Sequence, residues 1–193
     1  MIGLEQAKEQ IVEAGRRLWL RGLVAASDGN ISCRLTDGTF LITPSGVAKG
    51  FLSAEDLLQV DAAGSVLAGT GRPSIETALH LAVYRARPDI QALVHAHPPL
   101  TTAFTLTGQD MNEDAPDEVK LQLGSIAVAA YGEAGSAELA QNVAKAAQSG
   151  ANAVLLSRHG ALTAGDGVMK ALFRMEALEQ AARTMLAARL LRL

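Results

Sequence analysis

Between two apolar, strand-like runs, Ile31–Leu35 and Thr39–Thr43, stands the dipeptide Asp37-Gly38. Such a pair is among the strongest short-range signals of a hairpin, because glycine reaches the positive φ that a tight primed turn demands. A second hairpin is expected where Gln59–Asp61 and Ser65–Ala68 flank Ala62-Ala63-Gly64. Hairpins impose antiparallel pairing, whereas a doubly wound fold alternates strand and helix throughout. The chain is therefore expected to form a mixed or antiparallel sheet covered by helices.

The helices announce themselves by period. Leu4, Ala7, Ile11, Ala14 and Leu18 recur every three or four residues and predict a helix that ends before Gly22. Ser53, followed by Glu55 and Asp56, predicts a short capped helix. Ser74 is expected to cap a helix from Ile75 to about Arg87, closed by Pro88. Ile90–His97 reads as a buried strand, Thr101–Leu106 as a short helix, and Asp110–Glu118 as an irregular acidic stretch. Ser125–Ala130 and Ala153–Ser157 read as strands on either side of an Ala-rich helix, Ser136–Ser149, and a long helix starts near Val168. With no repeat and no linker, residues 1–193 are expected to form a single domain.

Composition excludes several classes. Aromatic residues are only 4% of a chain that is 49% hydrophobic, so Ala, Leu and Val must build the core. A net charge of −3 with dispersed Lys and Arg gives no footprint for nucleic acid. No apolar run approaches the ~20 residues of a membrane span, so no membrane partner is expected. The one cysteine, Cys33, and the charged Glu5, Lys8 and Glu9 where a signal peptide would be apolar, point to the cytoplasm.

Three of the four histidines stand at strand ends. His95 and His97 close the run Ile90–His97, and residues two apart on a strand project from one face. His159 follows the apolar run Ala153–Leu156 and precedes Gly160. Three imidazoles at strand mouths suit a catalytic Zn²⁺, or another divalent transition metal, with a coordination position left open. Glu76, in the first turn of its helix, either complements the helix dipole or serves as a general base beside that metal. His80, one turn later, reads as a helix histidine satisfied by a neighbour, with orientation of Glu76 as its alternative role.

Three polar turns complete the pattern: Asp28-Gly29-Asn30, Thr43-Pro44-Ser45-Gly46, and Pro73-Ser74. Each separately is an ordinary turn composition, but together with a helix start they offer backbone N–H groups to a phosphate without a lysine. No Walker A, Gly-x-Gly-x-x-Gly or Gly-x-Ser-x-Gly sequence is present, which leaves a small phosphorylated substrate as the better fit.

Gly29-Asn30-Ile31-Ser32, Leu41–Gly46, Pro73-Ser74-Ile75-Glu76, His95-Ala96-His97 and Arg158-His159-Gly160 together resemble the class II aldolase/adducin family. The likeness is greatest to its bacterial L-fuculose-1-phosphate aldolase branch, which also holds L-ribulose-5-phosphate 4-epimerases. It runs from about Ala14 into the last helix. It implies a three-layer α/β/α domain around a mostly antiparallel sheet, assembled as a homotetramer with active sites between subunits. It also implies Zn²⁺ on His95, His97, His159 and Glu76, with Glu76 as acid/base. Substrate phosphate would lie against Gly29, Asn30, Thr43, Ser45, Gly46 and Ser74. The activity implied is aldol cleavage of a ketose 1-phosphate, through a metal-stabilised enediolate, to dihydroxyacetone phosphate and an aldehyde.

The chain departs from that family pattern where the aldehyde half would bind. Ile75 replaces a second serine, and the tyrosine expected after the His-x-His segment has no match in Asp114-Ala115-Pro116-Asp117-Glu118. A second tyrosine, borne on a tail in the family, is not found before the helix ends at Leu193. Asp117, Glu118 and Tyr131 are the candidates to replace them. A 4-epimerase, dehydratase or decarboxylase of sugar phosphates therefore stands beside the aldolase, as does a non-catalytic adducin-like interaction module.

Overall fold

The computed structural model describes residues 2–113 and 115–192. It contains one eight-stranded sheet in the order β4-β3-β2-β1-β5-β8-β7-β6. Its first half is the expected pair of hairpins. β1 (Asn30–Arg34) turns through Asp37-Gly38 into β2 (Phe40–Ile42), and β3 (Leu58–Val60) turns into β4 (Val66–Ala68). Gly38 has φ +85°, the conformation that the turn demanded of it.

β5 (Ala92–Ala96) enters the sheet beside β1, antiparallel to it, and pairs on its other edge with β8 (Gly160–Gly165). β7 (Ala153–Leu156) pairs antiparallel with β8 through a short turn, and β6 (Ile126–Ala129) lies parallel to β7. That parallel pair makes the sheet mixed, with every other pairing antiparallel. The cause is local: a parallel pair needs a crossover, and α5 (Ala137–Ala147) supplies it. Ser136 caps α5, accepting from the backbone N–H of Leu139.

Helices cover both faces, and strand alternation assigns them. α1 (Leu4–Leu20), α3 (Pro99–Thr107), α4 (Asp117–Leu123) and α6 (Val168–Leu191) lie on one face. Their core includes Ile11, Leu18, Leu172 and Met175 with Ile31 and Cys33 of β1 and Val94 and Ala96 of β5. On the other face α2 (Thr77–Ala86) packs with α5, and Leu79, Val83, Tyr84 and Val143 meet Leu93 of β5 and Leu162 of β8. Asn30 and Ser32 on β1, and His95 on β5, share the parity that turns toward α2.

Three elements differ from expectation. β8 forms just after His159, where no strand was expected. Its sequence, Gly-Ala-Leu-Thr-Ala-Gly, is buried on both faces, so it shows no polar alternation to reveal a strand. α4 takes in the last two residues of the acidic stretch expected to be irregular and runs on to Leu123, because Asp117 and Glu118 are first-turn acids after Pro116. α2 starts at Thr77, which makes Glu76 its N-cap residue; Ser74 Oγ instead accepts from the backbone N–H of Glu76 at 3.3 Å. No helix of the described residues is long and apolar enough to cross a membrane.

Candidate metal centre and anion cavity

β5 carries His95, fully buried, to the edge of the α2 layer, and His97 follows just beyond the strand end. His159 reaches the same point from the β7–β8 turn, where Arg158 sits at φ +61° and Gly160 passes tightly beneath His97. A Cβ on Gly160 would stand 2.5 Å from the carbonyl oxygen of Ala96 and 2.7 Å from the His97 ring. The three rings form a near-equilateral triangle with centroids 4.9 Å apart. One ligand nitrogen of each lies within 4.8 Å of the others.

Glu76, 5% exposed, projects from the start of α2 into this triangle. Its Oε2 is 3.1 Å from His95 Nε2 and accepts from Asn30 Nδ2 at 2.8 Å, while Oε1 is 3.5 Å from His159 Nε2. Oε1 and Asn30 Oδ1 are buried without a hydrogen-bond partner.

The donor set fits a cation. His95 Nδ1 lies 2.9 Å from the Ala161 carbonyl, which can only accept, so Nδ1 carries the hydrogen and Nε2 presents a lone pair. That lone pair faces His97 Nε2 at 3.1 Å and Glu76 Oε2 at 3.1 Å. Protonation does not relieve the crowding, since burial, assisted by His97 and His159 against the pull of Glu76, pushes His95 down to about 4. Burial lowers His159 as well, with Glu76 opposing. Burial works to raise Glu76, but His95, the Asn30 amide and His159 together hold it below the ordinary carboxylate range. Neutral imidazoles around an ionised carboxylate are the ligand set of a late divalent metal.

A cavity of about 260 Å³ opens above the triangle. Gly29, Asn30, Ser45, Gly46 and Ser74, all named from the sequence, line it together with Glu76, His97 and His159. Gly29 takes φ +73° there and approaches so closely that a Cβ would stand 2.7 Å from the His95 carbonyl oxygen. Thr43 does not line it. Its fully buried Oγ1 accepts from the Ile31 backbone N–H at 3.1 Å and so ties β1 to the loop after β2.

His80 also has a different partner from the Glu76 carboxylate considered for it. Its Nδ1 pairs with Ser32 Oγ at 2.6 Å, and Ser32 Oγ lies 2.9 Å from the Tyr84 hydroxyl. Asp117, Glu118 and Tyr131 are exposed and none lines the cavity; Asp114 falls outside the described residues. Sequence reasoning missed Asp28, whose Oδ2 is 3.5 Å from His97 Nδ1 on the side away from the triangle. Its place in the Asp28-Gly29-Asn30 turn was the available signal. Ala134, also in the lining, gave none, whereas Ile75 lines the cavity at the position singled out for lacking a second serine.

A mixed sheet between two helical layers, with three histidines at strand ends and a carboxylate at a helix start, defines a class II aldolase architecture. The chain matches the Class II Aldolase and Adducin N-terminal domain over residues 9–186, and it belongs to that family. It is 36% identical over 183 residues to the 3-oxo-tetronate 4-phosphate decarboxylase of Pectobacterium atrosepticum, covering 93% of this chain and 83% of that protein. It is 34% identical over 176 residues to the L-fuculose phosphate aldolase of Methanocaldococcus jannaschii, covering 91% and 93%. Among solved structures, l-fuculose-1-phosphate aldolase from Thermus thermophilus superposes with a TM-score of 0.84 at 32% identity, covering 97% of this chain and 96% of that one. YgbL from Klebsiella pneumoniae gives 0.89 at 34% identity, covering 97% and 91%.

Proposed function

We propose that this chain is a zinc-dependent carbon–carbon lyase acting on a small phosphorylated sugar or sugar acid. One observation carries the reading: the buried Glu76 carboxylate stands among His95 and His159 at the base of a cavity walled by the turns Gly29-Asn30, Ser45-Gly46 and Ser74. Zn²⁺ held by His95, His97, His159 and Glu76 would supply a Lewis acid that polarises the substrate carbonyl. Ser45 and Ser74 hydroxyls, with the backbone of Gly29 and Gly46, would hold the phosphate end. Asn30 Nδ2 keeps Glu76 Oε2 fixed, which leaves the unpartnered Oε1 to move the proton at the reacting carbon.

Cleavage of a ketose 1-phosphate to dihydroxyacetone phosphate and an aldehyde is the first form of this reaction. A second is decarboxylation of a 3-oxo acid phosphate, as the name of the Pectobacterium relative suggests. Both reactions leave a carbanion equivalent that must be protonated at carbon. In aldol cleavage the ionised Glu76 would take the hydroxyl proton and return it to that carbon, whereas in decarboxylation Glu76 would relay a proton taken up from water. Glu76 and Asp28 are the carboxylates that line the cavity among the described residues, and only Glu76 is buried. The functional unit is read as one domain in a cytoplasmic homotetramer, whose neighbouring subunit would complete the aldehyde side.

A product-resolved screen tests the proposal. Zinc-loaded protein is expected to release dihydroxyacetone phosphate from a ketose 1-phosphate, or carbon dioxide from a 4-phosphorylated 3-oxo acid. Glu76→Gln is expected to keep much of its zinc and lose about 10²–10⁴-fold in turnover. Normal turnover by that variant would remove Glu76 from the chemistry. A protein that takes up no stoichiometric metal would favour the interaction-module alternative.

A further inference from the structure

Lys49 is a lysine almost without access to water, 1% exposed at the start of a short 3₁₀ turn, Lys49–Phe51. Its Nζ donates to the carbonyl of Ser27 at 2.9 Å and to that of Val47 at 2.7 Å. Those carbonyls belong to separate loops. Ser27 leads into Asp28-Gly29-Asn30, and Val47 follows Ser45-Gly46, so Lys49 stands behind the wall of the cavity and joins its two main turns. The wall itself has an unusual charge balance. Asp28 and Glu76 line it, and no Lys or Arg side chain among the described residues does. Apart from the proposed metal, a phosphate dianion would thus meet two carboxylates and no side-chain cation at the surface. Burying an ammonium is costly unless its charge is used, and an apolar side chain would fill the same space at less cost.

We propose that Lys49 is the cation of the anion subsite: a positioning residue that acts on bound phosphate through the two loops it clamps and through its buried charge, without touching the ligand. The proposal rests on reading the cavity as a phosphate site. Charge in such a dry location acts over a longer range than at the surface. Burial pushes the ammonium down to about 8, with the Asp28 carboxylate opposing. Asp28 is the charged group that bears on it. Toward α1 the Lys49 backbone carbonyl abuts Gly15, and the neighbouring Gly50 packs on Trp19, neither of which carries charge. Lys49 is accordingly charged at pH 7 and neutral by pH 9, a change no loop-clamping role alone would report.

The probe is inorganic phosphate, titrated calorimetrically into zinc-loaded and metal-free protein at pH 7 and pH 9. Wild-type affinity is expected to fall about tenfold across that interval in both forms, although rising pH only adds charge to phosphate. Lys49→Gln, which keeps donors for a carbonyl but no charge, is expected to bind about tenfold more weakly at pH 7 and equally at both pH values. Zinc content and the far-ultraviolet circular dichroism spectrum should be retained. Lys49→Met serves as a second variant, and the wild-type profile is decisive even if neither variant folds. A flat wild-type profile, or a Lys49→Gln profile like that of the wild type, overturns the role of Lys49. Failure of the phosphate reading shows itself differently, as wild-type binding that is absent or indifferent to Ser45→Ala and Ser74→Ala.

Discussion

On β1, alternate residues face opposite layers, and this decides the state of the histidine on α2. Ile31 and Cys33 enter one core while Ser32 turns toward α2, where its hydroxyl meets His80 Nδ1. Burial, reinforced by His95 against the pull of Glu76, pushes His80 down to about 3. An unfolded histidine titrates near 6.5, so below that pH the unfolded chain binds a proton that the folded chain refuses. The stabilisation is complete above about pH 6.5 and is lost progressively as pH falls toward 3. His95, pushed down to about 4, acts in the same direction. Thermal midpoints of the metal-free protein, measured from pH 7.5 to 4.5, are expected to fall with acidification. His80→Gln should fall less steeply because one of the titrating groups is gone. Parallel slopes for the two proteins would show that His80 takes no part in acid unfolding.

At the scale of elements, α3 has an N-terminus that its own sequence cannot cap. Pro98 precedes it and offers no side-chain oxygen. The acceptor comes from α6: Glu179, 3% exposed, receives the backbone N–H of Leu100 at 3.2 Å and of Thr101 at 2.9 Å, and the Thr101 hydroxyl at 2.9 Å. Because α3 begins directly after His97-Pro98, this distant carboxylate also fixes the strand end that presents His97. Glu179→Ala strands these donors and is expected to cost about 2–3 kcal/mol, lowering the thermal midpoint by roughly 4–12 °C in a chain of this size. A loss below about 0.5 kcal/mol would mean that the α3 terminus is satisfied without it.

Such contacts mark the boundary of what the sequence discloses. α1, α5 and α6 were legible because each buries one periodic face, and both hairpins because their glycine turns are short-range signals. The histidines were legible because each follows an apolar strand, and strand parity requires no tertiary knowledge. β8 was not, since a strand buried on both faces by small residues has no period to read. Thr43 looked like a phosphate ligand from its motif, yet it is fully buried outside the cavity lining and its Oγ1 accepts from the Ile31 N–H across the hairpin. Lys49 and Glu179 acquire their roles from partners 22 and 78 or more residues away, and single-residue chemistry cannot anticipate those.

Across the whole molecule, the candidate centre joins parts that are remote along the chain. Glu76 stands at the start of α2, Asn30 begins β1, His95 and His97 stand at the end of β5 at mid-sheet, and His159 sits in the β7–β8 turn. Apart from His95 and His97, the unfolded chain holds none of these groups together, so metal binding becomes folding free energy. At a free concentration of 100 times its dissociation constant, a bound ion adds about 2.7 kcal/mol. For a chain of this length that corresponds to a rise of roughly 5–10 °C in the thermal midpoint. The measurement begins with protein stripped by a chelator, to which zinc is returned at that free concentration, held by a metal buffer. The wild type is expected to recover that increment. His95→Ala, which removes the nitrogen that faces both His97 and Glu76, should recover little of it. Magnesium should not substitute for zinc, because it prefers oxygen ligands in a near-ideal octahedron, and three imidazoles offer neither. An equal response to magnesium would point to a carboxylate site elsewhere. A wild type indifferent to zinc would leave the facing lone pairs of His95 Nε2 and Glu76 Oε2 without their cation, and the lyase reading would lose its centre.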